Sequence, residues 1–414
     1  MSGSIKLKHA SGNGVIISAP SSNPSSDKTI NLPSDETGVF ATKDSANSLQ
    51  NVTGLNGGAL SNRRMNINGA VLINQRGNKT GLTVSGAPHY VVDRFRHYFT
   101  EGTFSISQEN DAPAGSGFTK SLKIQCTTAD TSQDAGAVHN LTYPFEGQDL
   151  QRLAKGSSGA KQLAVQFWCK AFQTGTFNIT LFDEDNNRFT NQNFTISASN
   201  TWEKKELIFP ADTTGAITAD NSASLNLDIK LAAGSNYTSG SLQTAWGAST
   251  TANSGVGQTV NIADNTNNNF YITGLQIEVG NVHTEFEHKV IAEELALSQR
   301  YFQTSFTSNP STTNTSNDGV VAYGGGRTGD STSFLGTSYV HLSPEMRAAP
   351  TVTTFDLAVA RNTNKCHRFT FGFTGADNQS VTITDVNTKA FNLRSDSGHN
   401  ANGMAYHYTC EAEL

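Results

Sequence analysis

Residues 270–302 read FYITGLQIEVGNVHTEFEHKVIAEELALSQRYF. The stretch opens with a period of two. Tyr271, Thr273, Leu275, Ile277 and Val279 alternate with Ile272, Gly274, Gln276 and Glu278, the pattern of a strand with one face on a core. Gly280 ends that run. From about Lys289 the period lengthens, and Ile291, Leu295 and Phe302 fall near one helical face. Glu293 and Glu294 come early in it and Arg300 late, charges that complement a helix dipole, so the spacing predicts a helix of roughly three turns. The stretch therefore closes one β domain and leads through a helical hinge, residues 289–303, into another.

Composition agrees with an all-β chain. At 414 residues the protein is long for one core and points to about two or three domains. Charged residues make up 15%, against about 25% in average soluble proteins. Gly, Ser, Thr and Asn take their place, which suits many short strands joined by turns. Apolar residues recur in alternating runs throughout, and 23 Phe supply core volume, so folded β structure is favoured over low-complexity disorder. A net charge of −6 and a pI near 5.9 argue against a nucleic-acid surface, which needs clustered Lys and Arg. No apolar run is long enough to span a membrane, and the N-terminus lacks a signal-peptide core. Cys126, Cys169, Cys366 and Cys410 are widely spaced and read as free thiols of a reducing cytosol, with no metal or cofactor implied.

Outward from the opening stretch, upstream runs such as LKIQC, LAVQFWCKAF, FNITLF, FTISA, EKKELIFP and LNLDIKLAA are strands punctuated by turns, as an antiparallel sandwich over residues 61–288 requires. Downstream, GVVAYGG, TSYVHL, TVTTFDLAVA, RFTFGFTG, SVTITDVN, KAFNL and AYHYTCEAEL build a second, smaller sandwich-like β domain over residues 304–414. Residues 1–60 hold short strands, SIKLKHA and GVIIS around Gly12-Asn13-Gly14, then KTINLP and VFAT. Strands so few cannot bury a core in one chain, whereas several copies wound together can. A flexible arm is the alternative for this segment.

A resemblance accompanies these patterns. GLQIEVG followed by TEFEHKVIAEELALSQRYF resembles the join between a carbohydrate-binding-module-like jelly roll and a C-terminal β domain in bacteriophage tail-fibre and related virion proteins. That family usually carries Pro where Glu285 stands, and often Cys in place of Ser298. MNINGAVLINQRG, DRFRHYFTEGTFSISQENDAPAGSGFTKSLKIQ, KQLAVQFWCKAF, SNTWEKKELIFP and LNLDIKLAAGSNYTSG are similar to the same jelly roll, in chain order. SPEMRAAP and the terminal CEAEL resemble the end of the same fibre proteins. The resemblance implies a non-enzymatic virion component, made in the host cytoplasm. Its N-terminal segment would be an intertwined homotrimeric attachment to other tail or capsid proteins. Its outer domains would contact a host glycan or protein receptor. A decoration or connector fibre without a receptor site is the second reading, and a polysaccharide depolymerase the third.

Residues that could carry chemistry are few. Asp183, Glu184 and Asp185 in FDEDNNRF lie between two strand runs and read as a hairpin tip rather than the flanking carboxyl pair of a glycosidase. The ten histidines show no metal-ligand spacing, and no Gly-x-Ser-x-Gly is present. Sugar binding uses flat rings and polar side chains. Trp168 alternates within an apolar strand and reads as core, and Trp202 as packing. Trp246 and Tyr237 sit in a Gly/Ser/Thr-rich loop, residues 235–257. There Trp246 is either a ligand platform or a pin that holds its own loop. In the C-terminal domain, Tyr323 and Arg327, with His399 and Tyr406, mark loops at the far end of the chain as a rival receptor-binding tip.

Overall fold

The structure, a computed structural model, describes residues 61–414 apart from 308–309, 325–336, 370–374 and 396–402. It also describes the backbone of four short strands near the N-terminus. Helix accounts for 7% of it and strand for 43%, so the chain is all-β. Two units separate, residues 1–53 and residues 54–414. In the smaller unit, Ser4–Lys8 pairs with Gly14–Ser18, the hairpin expected around Gly12-Asn13-Gly14, and Thr42–Lys43 pairs with Leu49–Gln50. The strand expected over KTINLP lies outside the described residues.

The larger unit begins with a sandwich of two antiparallel sheets. One sheet runs, edge to edge, through Gly247–Ala248, Arg188–Ile196, Gly175–Asp183, Ala223–Ala233, Val138–Glu146, Arg96–Phe99 and His89–Tyr90. The other runs through Glu203–Phe209, Leu163–Ala171, Asn269–Val279, Ser121–Thr128, Thr103–Glu109 and Lys79–Leu82. Leu141, Tyr143, Phe145, Leu227 and Ile229 from the first sheet meet Ile124, Val165, Phe167, Ile272 and Ile277 from the second in one core. The chain crosses repeatedly between the sheets, as in a jelly roll.

The strand Asn269–Val279 departs from the strict alternation that its sequence suggests. Phe270, Ile272, Leu275 and Ile277 face the core, whereas Tyr271 is half-buried on the opposite side. The phase slips by one residue at Gly274, whose φ of 64° belongs to the left-handed region. Opposite it, Gln166 pairs with Gln276 but Trp168 pairs with Thr273, so an extra residue is accommodated there. Beyond this bulge the strand's free edge is satisfied by residues 65–69. Met65 N donates to Ile277 O at 2.8 Å, Asn66 exchanges bonds with Leu275 O and Ile277 N, and Leu275 N donates to Gly69 O. A Cβ on Gly69 would lie 2.0 Å from Leu275 O, so no larger residue fits.

The helix forms at Ile291–Gln299, but its faces are reversed from the expected ones. Glu294 and Ser298 are buried, while Ile291 is 63% exposed. Glu294 turns inward because Arg64, itself buried, pairs with its carboxylate, and Asn68 N donates to it at 2.8 Å. Phe302 lies beyond the helix, in the strand Phe302–Thr304.

In the C-terminal portion the last strand, Gly403–Glu411, is the hub. It pairs with Phe302–Thr304, Val321–Gly324, Thr351–Phe355 and Lys365–Phe369. The long strand expected over residues 351–360 stops at Phe355. A separate small core gathers Leu342, Met346, Phe391, Leu393, Met404 and Tyr406. All four cysteines are buried.

Candidate functional site

Alternation along the first sheet sends one set of side chains to the core and the other to an outer face. Register fixes which outer residues are neighbours. Arg96, Thr142, Asp228 and Thr180 form one row across four strands, and Tyr98, Asn140 and Lys230 form the next. Asn226 lies beside Phe182. Thr142, Thr180, Asn226 and Lys230 are buried, whereas Arg96, Tyr98, Asn140, Phe182 and Asp228 are half-buried around them. Part of this face is roofed by the loop over residues 235–257, where Thr180 Oγ1 donates to Ser254 O at 3.4 Å. The rest is a polar patch, termed the trough, bordered by the half-buried Arg96, Tyr98 and Asp228.

Its polar groups are oriented by one another. Thr142 donates to Asp228, Asn226 Nδ2 donates to Glu184 Oε1 at 2.6 Å, and Lys230 Nζ donates to Asn140 Oδ1 at 3.3 Å. Asn226 Oδ1 is buried with no hydrogen-bond partner among the described residues, an acceptor that an enclosed water would satisfy. Burial holds the Lys230 ammonium below its ordinary pKa and raises that of Glu184. Fixed donors and acceptors beside tyrosine and phenylalanine rings suit a neutral, many-hydroxyl ligand.

The loop over residues 235–257 folds across one end of this face. Tyr237 is half-buried there with the Lys230 ammonium 5.7 Å from its ring centre, so Tyr237 belongs to the trough. Trp246 does not. Its Nε1 donates to Pro210 O at 2.8 Å, its ring packs on the sandwich core, and Lys155 lies 4.9 Å above it. Of the two readings open for Trp246, the loop pin is the one observed. Lys155 is buried between Asp183 and Asp212. Asp183 therefore closes a charge cluster at the tip of the expected hairpin, and Asp185 accepts from Thr218 N.

The second sheet's outer face holds aromatics that sequence reasoning misplaced. Trp168 was expected in the core, yet Phe167 and Cys169 point inward and Trp168 is half-buried on the outside. Trp202 and Tyr271 lie on the same side, 6.1 Å apart. Lys170 sits 5.2 Å over Trp202 and 4.2 Å over Tyr271, and Lys123 is 5.4 Å from Tyr271. These ring faces are already occupied by the protein's own lysines.

Of the C-terminal candidates, Tyr323 and Tyr406 lie on paired strands, Val321 standing opposite Tyr406 and Tyr323 opposite Met404. Tyr323 is exposed on Val321–Gly324. Arg327 and His399 lie outside the described residues. Tyr406 requires correction: it is fully buried, and its hydroxyl donates to Ser338 Oγ at 2.8 Å. Burial pushes its pKa up to about 12. The apolar spacing of AYHYTCEAEL marked a strand but not that Tyr406, rather than Tyr408, would be its most enclosed ring. Arg96, Tyr98 and Asp228 went unnoticed because they come from two strands more than a hundred residues apart, and only register across the strand between them unites them.

No family model matches the chain, and no curated protein matches it. Among solved structures it is similar to the enzymatically active domain of bacteriophage CBA120 tailspike protein 4, at 12% identity and a TM-score of 0.26. That match covers 45% of this chain and 19% of the tailspike chain. A putative sugar binding protein from Bacteroides thetaiotaomicron aligns over 52% of this chain and 100% of its own, at 10% identity and a TM-score of 0.28. A family 11 carbohydrate-binding module from Clostridium thermocellum aligns over 50% and 97%, at 12% identity and a TM-score of 0.25. Likenesses of this degree assign neither ligand nor activity.

Proposed function

We propose that this chain is a non-enzymatic, glycan-binding component of a bacteriophage virion, a tail fibre or surface appendage that contacts the host through its sandwich. The single observation that carries the binding half is the trough, where the half-buried Tyr98, Tyr237, Arg96 and Asp228 share one face. The virion half rests on the sequence resemblance. Weak single sites on a fibre act together through effective concentration, which favours a homotrimer. Support for it comes from residues 1–53, whose described strands form only two-stranded pairs, too little to bury a core alone. The uncharged stripe Ile291, Ala292 and Ala296, exposed to solvent, gives copies of the chain a further place to meet.

Binding of the purified protein to an array of bacterial surface glycans tests this reading. Wild-type protein is expected to retain a subset of them. Tyr98→Ala and Asp228→Asn are expected to lose it with unchanged melting temperature. Retention by both variants, or no binding to any glycan, would overturn the trough as the site. One observation favours a second reading. Glu184, its pKa raised by burial, lies close enough to Asp228 to feel its charge, and glycoside hydrolysis uses two carboxyls flanking one bond. New reducing ends from host polysaccharide, abolished by Glu184→Gln, would establish the enzyme in place of the binder.

A further inference from the structure

A separate cleft of about 340 Å³ opens where the sandwich meets the C-terminal portion. The edge strands of both sheets, Lys79–Leu82 and His89–Tyr90, form one wall. Phe355, Thr409 and Glu411 form the opposite wall. Past Tyr90 and Glu411 the hollow continues as a wider one of about 550 Å³ toward Arg347 and Leu414. Volumes of this size accommodate small ligands, or one residue of a longer chain.

The charges in the cleft are unequal in their satisfaction. Arg76 is spoken for: it pairs with Asp93 at 3.4 Å and Glu413 at 3.0 Å, and lies 3.9 Å from the Phe302 ring. Lys79 is different. Its ammonium is half-buried and, among the described residues, has no carboxylate in ion-pair range and makes one long bond of 3.5 Å to Pro310 O. Burial and the nearby Arg76 hold its pKa below the ordinary value, the state of a cation that lacks its counterion. Tyr90 cannot turn away, because its hydroxyl donates to Leu414 O. The Tyr90 ring, one face of which has the Arg76 guanidinium 5.6 Å from its centre, gives the cleft apolar surface together with Leu82 and Phe355. Glu411 stands on the far wall with a half-exposed carboxylate, 3.8 Å from the Arg76 guanidinium.

We propose that this cleft binds a carboxylated sugar residue, with its carboxylate on Lys79, its apolar ring face toward Tyr90, and its hydroxyls on Glu411 and Thr409. One free ammonium matches one negative charge. Glu411 on the opposite wall repels a second, which disfavours phosphate and sulfate esters carrying more charge. The choice of a sugar as carrier rests on the glycan-binding reading above. The charge match and the cleft do not.

Titration of the full-length protein with methyl glucuronide and with methyl glucoside, followed by ligand-observed NMR and calorimetry, tests the proposal. The glucuronide is expected to bind in the millimolar range and the glucoside about tenfold more weakly. Lys79→Met is expected to weaken glucuronide binding about tenfold, and Lys79→Arg to restore most of it. Tyr98→Ala, which disables the trough, is expected to leave glucuronide binding unchanged, so failure of the trough and failure of the cleft are distinguishable. Equal binding of the two glycosides, unchanged binding by a folded Lys79→Met, or no binding of the glucuronide by wild type would each overturn the proposal. Should Lys79→Met not fold, Thr409→Val together with Glu411→Gln is expected to weaken binding from the other wall, and unchanged binding would count equally against it.

Discussion

The sandwich and the C-terminal portion are both antiparallel β structure, yet they are held together in different ways. The sandwich has one large core with phenylalanines from both sheets. The C-terminal portion has a much smaller cluster around Phe391, Leu393, Met404 and Tyr406. It compensates by attaching itself to its neighbour. Glu413 reaches into the sandwich to pair with both Arg76 and Arg94. Arg347 Nη1 donates to Asn221 O while Asn221 Nδ2 donates to Arg347 O, both at 2.6 Å. Arg300, just past the helix, is fixed by Glu146. A small β domain with a modest core is stable here because its last residues complete charge clusters in a larger one. The connector between them is consequently anchored on both sides rather than a free hinge.

Removing Arg94 should have the largest effect on this difference. Its guanidinium is 1% exposed, donates to Glu413 and to Pro144 O, and lies 3.5 Å from the Tyr301 ring centre. Arg94→Met leaves the Glu413 carboxylate buried beside Arg76 alone, and breaking a buried pair costs about 3–5 kcal/mol. Hydrogen exchange should show faster opening of Phe302–Thr304 and Gly403–Glu411 while the sandwich strands keep their protection. The double variant Arg94→Met/Glu413→Gln should recover part of the loss. Uniform destabilisation of both regions would mean that they unfold as one. For the same reason, deletion of the C-terminal portion strips Arg76 and Arg94 of Glu413, so any loss of glycan binding after such a deletion reports on folding as well as on binding.

Much of this architecture is legible in the sequence, and the misreadings share one cause. Strands at Leu163–Ala171, Ala223–Ala233 and Asn269–Val279 follow from alternation, and the hairpin at Asp183–Asp185 from turn residues. Where alternation slips, at Gly274, the faces of Leu275 and Ile277 exchange, because a bulge inserts one residue without changing composition. The helix Ile291–Gln299 was legible as a helix, but its inward face is set by Arg64, more than two hundred residues away in sequence. Trp168 reads as core because its neighbours do, and only the register with Thr273 places it outside. Local pattern gives element type. Partners distant in the chain decide which face is buried, and the trough and cleft are built from such partners.

Trp246→Ala probes the sandwich side of the comparison with a smaller expected effect. The indole is half-buried, so its removal forfeits part of the usual large-to-small cost along with its hydrogen bond to Pro210 O, about 2 kcal/mol in all. The melting temperature should fall and the loop over residues 235–257 should become susceptible to protease. Glycan binding at the trough should weaken only through displacement of Tyr237. Abolished binding at unchanged stability would return Trp246 to the role of a ligand platform.

Acid should separate the two regions most gently. In the sandwich, His139 is buried against Phe99 and Phe104 with His89 and the buried His97 nearby, and none of the four ring nitrogens of His97 and His139 has a hydrogen-bond partner among the described residues. Burial lowers the pKa of His139 to about 3 and that of His97 well below its ordinary value. In the C-terminal portion, His407 stacks on Phe306 at 4.1 Å, accepts or donates a bond with Ser305 Oγ, and faces the positive Arg361. Its pKa is lowered to about 4. A histidine with a depressed folded pKa contributes stability that is complete above its unfolded value near 6.5. That contribution is lost as pH falls toward the folded value. Each such residue gives a slope of about 1.4 kcal/mol per pH unit in that window. Asp93 and Glu411, whose pKa values are raised by burial, act in the opposite direction once the pH nears the carboxylate range. Between pH 6.5 and about 4.5 the histidines therefore dominate, and stability should decline. The smaller core should yield first, so exchange at Gly403–Glu411 should accelerate at a higher pH than exchange at Val138–Glu146. His407→Gln should flatten the decline for the C-terminal strands and leave the sandwich strands unchanged. Simultaneous loss of protection in both regions, unaffected by that substitution, would show that the Glu413 clamp couples them more strongly than their separate cores divide them.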